Sequence, residues 1–295
     1  MLPLTYNSDD IEKVLKETEQ FLRNNNELEK ALFNLLWAYH SIGNSIPQTT
    51  ENYWSGHYFP YSESNKELQI SFLLCKQGLY KQAMTSLRCV LEVGILSVYY
   101  NISDKGHELV QGWYQSEPGK ENDTPFFNSI LKVLKEHENF VKFNSYCDLE
   151  KRIKKLGLLH NYVHTKGIEF SNDFALRKSN TLTFQEKGLM KWIMTANEVV
   201  SIVIILHLLK YPIAILEYDY SKKFGIDIPE FGGLDSFGIK RIKEVLGEET
   251  ADVLLNISLE DKKVVALMKE IENMPAISEA EKQEQIDTIN RIMKK

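Results

Sequence analysis

Val199-Val200-Ser201-Ile202-Val203-Ile204-Ile205-Leu206-His207-Leu208-Leu209-Lys210-Tyr211-Pro212-Ile213-Ala214-Ile215-Leu216 determines what kind of chain this is. A run this apolar is either a membrane span of near-minimal length or the central helix of a bundle. His207 and Lys210 lie inside it and Pro212 breaks it. A lysine at the centre of a bilayer costs roughly 2.5–3.5 kcal/mol. The expectation is therefore a buried central helix that ends near Lys210, with no membrane contact. Upstream the helical pattern continues to Phe184, making 184–209 the longest helix of the chain.

A second segment has the same character. From Tyr80 to Tyr100, Leu87, Val90, Leu91, Val93, Ile95, Leu96 and Val98 cover most of a helix circumference, again the mark of a central helix. Working outward, apolar residues recur at helical spacing over 9–22 (Ile11, Val14, Leu15, Phe21, Leu22) and 27–42 (Leu28, Leu32, Leu35, Leu36, Tyr39). Residues 48–61 are rich in aromatic side chains and read as a structured loop lying on the core. Ser62 or Ser64 is the expected N-cap of a helix that reaches Gln77, where Gly78 interrupts. Residues 104–118 read as a short helix and a loop. Pro125, capped by Thr124, suits the first turn of a helix towards His137. A helix spans 146–164, a polar loop 167–183 and a linker 218–237. Three or four short helices fill 236–295, with Pro275 between the last two and a very polar tail from Ser278.

Composition agrees with a helical globular chain. The 295 residues are 43% hydrophobic and 26% charged, and the low counts of 15 Gly and 8 Pro disfavour a turn-rich β architecture. A formal net charge of −6 argues against a dedicated duplex-binding domain, so nucleic acid would need a local basic patch. Three cysteines (Cys75, Cys89, Cys147) fit no disulfide framework and no zinc spacing, and their apolar helical surroundings predict buried thiols. The first residues carry neither a basic nor an apolar leader region, so a cytoplasmic protein is expected. In that setting the sequons at Asn101, Asn122 and Asn256 are chance matches. There is no phosphate-binding Gly-x-x-x-x-Gly-Lys loop, no dinucleotide Gly-x-Gly-x-x-Gly and no Gly-x-Ser-x-Gly elbow. Gly232-Gly233 sits in a linker context.

Two constellations could carry chemistry. In the 146–164 helix, a helical wheel puts His160 and His164 one turn apart, on an inward stripe with Leu149, Ile153, Leu156 and Val163. Three readings stand side by side. The histidines are structural, packed near the core or in a dimer contact. Alternatively they form half of a metal site, although Asn161 stands where a metalloprotease has its glutamate and no third ligand is evident. In the third reading they perform acid–base catalysis on a phosphodiester, with Arg152, Lys154, Lys155 and Lys166 as nearby cations. The second constellation is Arg88 and Glu92, at i and i+4 on the 80–100 helix. Both are expected to be partly desolvated and so paired with each other or with a neighbouring helix. Arg88 can then clamp helices or face the histidine helix and hold an anion.

Gly78-Leu79-Tyr80-Lys81-Gln82-Ala83 with Leu87-Arg88 and Leu91-Glu92, and later Leu159-His160-Asn161-Tyr162-Val163-His164-Thr165, resemble the signature helices of HEPN-type (higher eukaryotes and prokaryotes nucleotide-binding) proteins. The likeness runs from about residue 52 to 167. It implies an all-α, antiparallel helical bundle in residues 1–220, with a HEPN-like core at about 52–210 preceded by N-terminal helices. Residues 221–295 would form a small C-terminal helical domain or tail. Many HEPN proteins are metal-independent endoribonucleases of bacterial anti-phage defence that work as dimers without a cofactor. The resemblance thus implies a metal-independent endoribonuclease or RNA-binding effector, with RNA as partner, and a homodimer. His160 falls on the polar position of the family's nuclease motif and His164 on its terminal histidine. The motif's arginine is here Leu159, so Arg88 or Arg152 would have to stand in. The competing class is a non-catalytic interaction or dimerisation module whose C-terminal helices recruit a protein partner.

Overall fold

The computed structural model describes residues 6–103, 105–119, 124–173, 182–225 and 233–293. Asn122 and Gly232 of the motifs above, and parts of the 104–118 segment, the 167–183 loop and the 218–237 linker, lie outside them. The described residues form an all-α protein without a β-strand.

The chain opens with α1 (Ser8–Arg23) and α2 (Asn26–Ile42). The Asn7 side chain starts α1 by accepting the amide of Asp10. A short α3 (Thr50–Ser55) follows, then the long pair α4 (Tyr58–Lys76) and α5 (Tyr80–Ile102). Next come α6 (Gly106–Tyr114), α7 (Phe127–Glu136), α8 (Glu138–Cys147), α9 (Leu149–Leu156) and the single turn α10 (His160–Val163). The long α11 (Glu186–Lys210) leads through the 3-10 turn Pro212–Ile215 to α12 (Ser221–Phe224). The chain closes with α13 (Ser236–Leu246), α14 (Glu248–Glu260), α15 (Lys262–Asn273) and α16 (Glu279–Met293).

α11 is the axle. It touches α2, α4, α5, α8, α9, α13 and α14, and from Val199 to Leu209 every residue is buried. It is the one described helix long and apolar enough to cross a bilayer, but most of its apolar surface is buried inside the bundle. α4 and α5 form an antiparallel hairpin through Gly78, whose φ of 78° suits glycine. α5 crosses α11 at Gly94, where a Cβ would come within 2.8 Å of Val203. Buried hydroxyls stitch the layers. Trp192 Nε1 donates to Ser71 Oγ (2.8 Å), which donates to the Ala83 carbonyl (2.7 Å), joining α11, α4 and α5. Ser64 Oγ donates to the Val90 carbonyl (2.7 Å) and meets Tyr39 Oη of α2.

Several expectations need correction. The aromatic segment 48–61 is largely helix, not loop. Thr49 Oγ1 caps α3 by accepting the Asn52 amide, Gly56 ends it with φ 86°, and α4 starts at once. Pro60 is tolerated because it lies in the first turn of α4, where an amide has no helical partner. Ser62 and Ser64 therefore sit inside α4, and Ser64 is buried instead of capping. Likewise α7 begins at Phe127, because Thr124 accepts from Trp113 Nε1 (3.1 Å) and caps nothing. Among the thiols only Cys75 is buried; Cys147 is intermediate and Cys89 is exposed on the outer side of α5.

The segment expected as a C-terminal extension is tied to the rest. α13 packs on α2, and α14 packs on α8, α11 and the 3-10 turn. Ile242, Leu254 and Ile257 belong to the same core as α5 and α11. Among its described side chains α16 buries none, and it is anchored by Gln285 Nε2, which donates to the Phe224 carbonyl (2.9 Å).

Candidate functional site

The helix expected over 146–164 is three pieces. α8 ends at Cys147, Asp148 turns the chain with φ 46°, and α9 ends at Leu156. Gly157–Leu159 is a 3-10 turn, and α10 follows. A 3-10 turn has three residues per turn, so it shifts the helical phase. The buried stripe therefore continues from Leu149, Ile153 and Leu156 to Leu159 and Tyr162, not to Val163. His160 and His164 point to solvent, which overturns the inward stripe read from the wheel. Tyr162 anchors the turn. Its ring is buried, meets Phe170 edge-on at 5.0 Å and lies under the Lys191 ammonium of α11.

The two imidazoles lie side by side, with ring centroids 4.2 Å apart. α10 packs on α5, which brings the second constellation to the first. Arg88 Nε donates to Glu92 Oε1 (2.7 Å), the pairing that partial desolvation requires, and both stay half-exposed. Loss of hydration holds the His160 protonation equilibrium below its ordinary range; His164, Arg88 and Lys166 push the same way and Glu92 opposes them. Lys81, two turns before Arg88, donates to Thr165 Oγ1 (2.7 Å) in the loop leaving α10. Thr165 (φ 47°) and Gly167 (φ 95°) turn this loop back, so that Lys166 joins the patch. Lys81 and Thr165 lie inside the two signature segments but were not singled out there as site residues. The available signal was the spacing of Lys81, Arg88 and Glu92, at i, i+7 and i+11 on one face of α5.

Arg152 is elsewhere. Its guanidinium forks onto Glu198 of α11, with Nε–Oε1 2.8 Å and Nη2–Oε2 3.0 Å, and it is not among the groups acting on His160. Leu159, at the position of the motif arginine, is 1% exposed and part of the core. Among the described residues no three His, Cys, Asp or Glu side chains cluster as a metal-ligand set. The arrangement is thus a solvent-facing pair of imidazoles flanked by Lys81, Arg88 and Lys166 on an all-α scaffold. It can hold an anion and exchange protons with it. No protein-family model, no curated protein and no solved structure matches this chain.

Proposed function

We propose that the protein is a HEPN-like, metal-independent endoribonuclease, acting in bacterial anti-phage defence. The observation that carries this reading is the pair of exposed, adjacent imidazoles of His160 and His164, with the Arg88 guanidinium close enough to depress protonation of His160. The resemblance of the two signature segments adds the RNA substrate and the defence setting. In this reaction the RNA 2′-hydroxyl attacks the adjacent phosphorus. The O2′–P bond forms, the P–O5′ bond breaks, and a cyclic phosphate and a 5′-hydroxyl result. His164 takes the proton of the 2′-hydroxyl and returns a proton to the departing O5′, His160 assists and orients, and Arg88 meets the charge growing on the phosphate oxygens. DNA lacks the attacking hydroxyl and is inert.

A second reading, the non-catalytic interaction module, is favoured by Leu159, which fills the motif's arginine position with a core side chain. One gel separates them: total bacterial RNA incubated in EDTA with wild type or His164→Ala. Wild type cleaves, and the variant loses activity by about 10²–10⁴-fold, the usual weight of a positioned acid–base group. No cleavage by wild type would sink the nuclease reading in favour of the module.

A further inference from the structure

On the far side of α11 from its start, a cleft of about 580 Å³ opens between four elements. Its walls come from the end of α7, the start of α8, the end of α11 with its 3-10 turn, and the start of α15. Pro47, Tyr211, Pro212, Ile213 and Leu267 make the walls largely apolar. The floor is welded: buried Asn139 Nδ2 donates both to the Leu209 carbonyl (3.1 Å) and to Asp261 Oδ2 (2.9 Å), tying α8, α11 and α15 together.

The charges of this cleft are unevenly satisfied. Of its three carboxylates, Asp261 is consumed by capping α15 (Lys263 amide 2.9 Å, Val264 amide 3.2 Å) and by Asn139. Glu138 is turned to Lys142 (3.0 Å), and Glu136 stays exposed at the rim. The cations have no carboxylate within ion-pair range, although Asp261 acts on Lys263 and His137 at longer range. Half-buried Lys210 lies over the Tyr211 ring (5.8 Å) without a carboxylate in ion-pair range, and Lys262 and Lys263 are likewise outside every ion pair among the described residues. Burial, then Lys263, lower the protonation of Lys210; burial, then Lys210 and Lys263, lower that of His137, against the opposing pull of Asp261 and Glu138. A desolvated ammonium beside two further basic groups is costly, and an anion placed among them offsets that cost.

We infer that this cleft is a binding site for a small oxyanion, phosphate ester or carboxylate, carried on an apolar or flat body, with Lys210 as its principal partner and Lys263 and His137 as secondary ones. The apolar walls receive the body. This site is separate from the imidazole patch, so it stands or falls independently of the nuclease reading.

Calorimetric titration of the full chain with phenyl phosphate, benzoate and inorganic phosphate tests it. At least one aromatic anion binds in the millimolar range or tighter, and inorganic phosphate binds more weakly because it lacks the body. Preference for phenyl phosphate or for benzoate tells the ester from the carboxylate. Lys210→Met keeps the stem and removes the charge, and it weakens binding about tenfold or more, a change equivalent to about 1.4 kcal/mol. Lys263→Ala, at an exposed position, weakens it severalfold, while His164→Ala leaves it unchanged. Absence of heat with both aromatic anions, or undiminished binding by Lys210→Met with an intact melting transition, overturns the inference. Inorganic phosphate binding as tightly as phenyl phosphate overturns the role of the walls.

Discussion

Arg88 and Arg152 look interchangeable as residues, since both are cations near the histidine segment, but their partners differ. Arg152 spends its planar fork on Glu198, whereas Arg88 keeps a single bond to Glu92 beside His160. Arg88→Ala should therefore reduce RNA cleavage with little effect on melting. Arg152→Ala should leave the cleavage rate within about twofold and cost about 1 kcal/mol of stability, the worth of a well-formed, partly exposed pair. Equal loss of cleavage in both variants would remove Arg88 from its special role. His207 tells a different story at the same scale. It is buried in α11, donates Nδ1–H to the Val203 carbonyl (2.8 Å), and leaves Nε2 with no partner. Burial pulls its pKa down to about 4, and burial does the same to His57. Because the folded values lie below the ordinary 6.5, the unfolded chain takes up these protons first, so stability falls as pH drops from about 6.5 towards 4. For His207 alone the window is worth about 3 kcal/mol. Melting temperatures measured from neutral pH down to about pH 5 should fall, and His207→Leu should flatten the slope.

The long helices were legible because their apolar residues recur at helical spacing over many turns, which no single residue can mask. The phase of the short ones was not. One 3-10 turn at Gly157–Leu159 moves His160 and His164 from the predicted inner stripe to the outside, and wheel arithmetic has no access to that. The aromatic segment misled for a related reason: Gly56 ends α3 and Pro60 sits harmlessly in the first turn of α4, so two short-spaced helices stand where a loop was expected. Two glycines show how local context decides. Gly94 lies where α5 touches α11, and a side chain there meets the stiff, branched Val203 at 2.8 Å. Gly94→Val should cost about 1–3 kcal/mol through overpacking. Gly157 has φ −54° and nothing within reach of an added Cβ. Gly157→Ala should stabilise by about 0.4–1 kcal/mol by restricting the unfolded chain. Urea midpoints of the two variants must move in opposite directions, and a common direction would refute this account of the α5–α11 crossing.

Across the whole molecule, the question is whether residues beyond 220 fold with the rest. Sequence could not answer it, because α13 and α14 carry ordinary amphipathic patterns that do not say what they pack on. In the structure the apolar face of α13 meets α2, and Ile242 is fully buried in the core that also holds Leu35, Leu87 and Val203. With Trp37, which lies under the Arg241 guanidinium of α13, replaced by Phe, tryptophan fluorescence provides a selective reporter, since Trp54, Trp113 and Trp192 all precede residue 220. Ile242→Ala removes core volume and should cost roughly 2–5 kcal/mol. If α13 and the bundle form one cooperative unit, the tryptophan-detected urea midpoint falls by the same amount as the midpoint from far-ultraviolet dichroism, because neither probe can report a surviving half. An unmoved tryptophan transition, with only the dichroism signal shifted, would mean that α13 unfolds alone and that the shared core contributes nothing to the stability of α5 and α11.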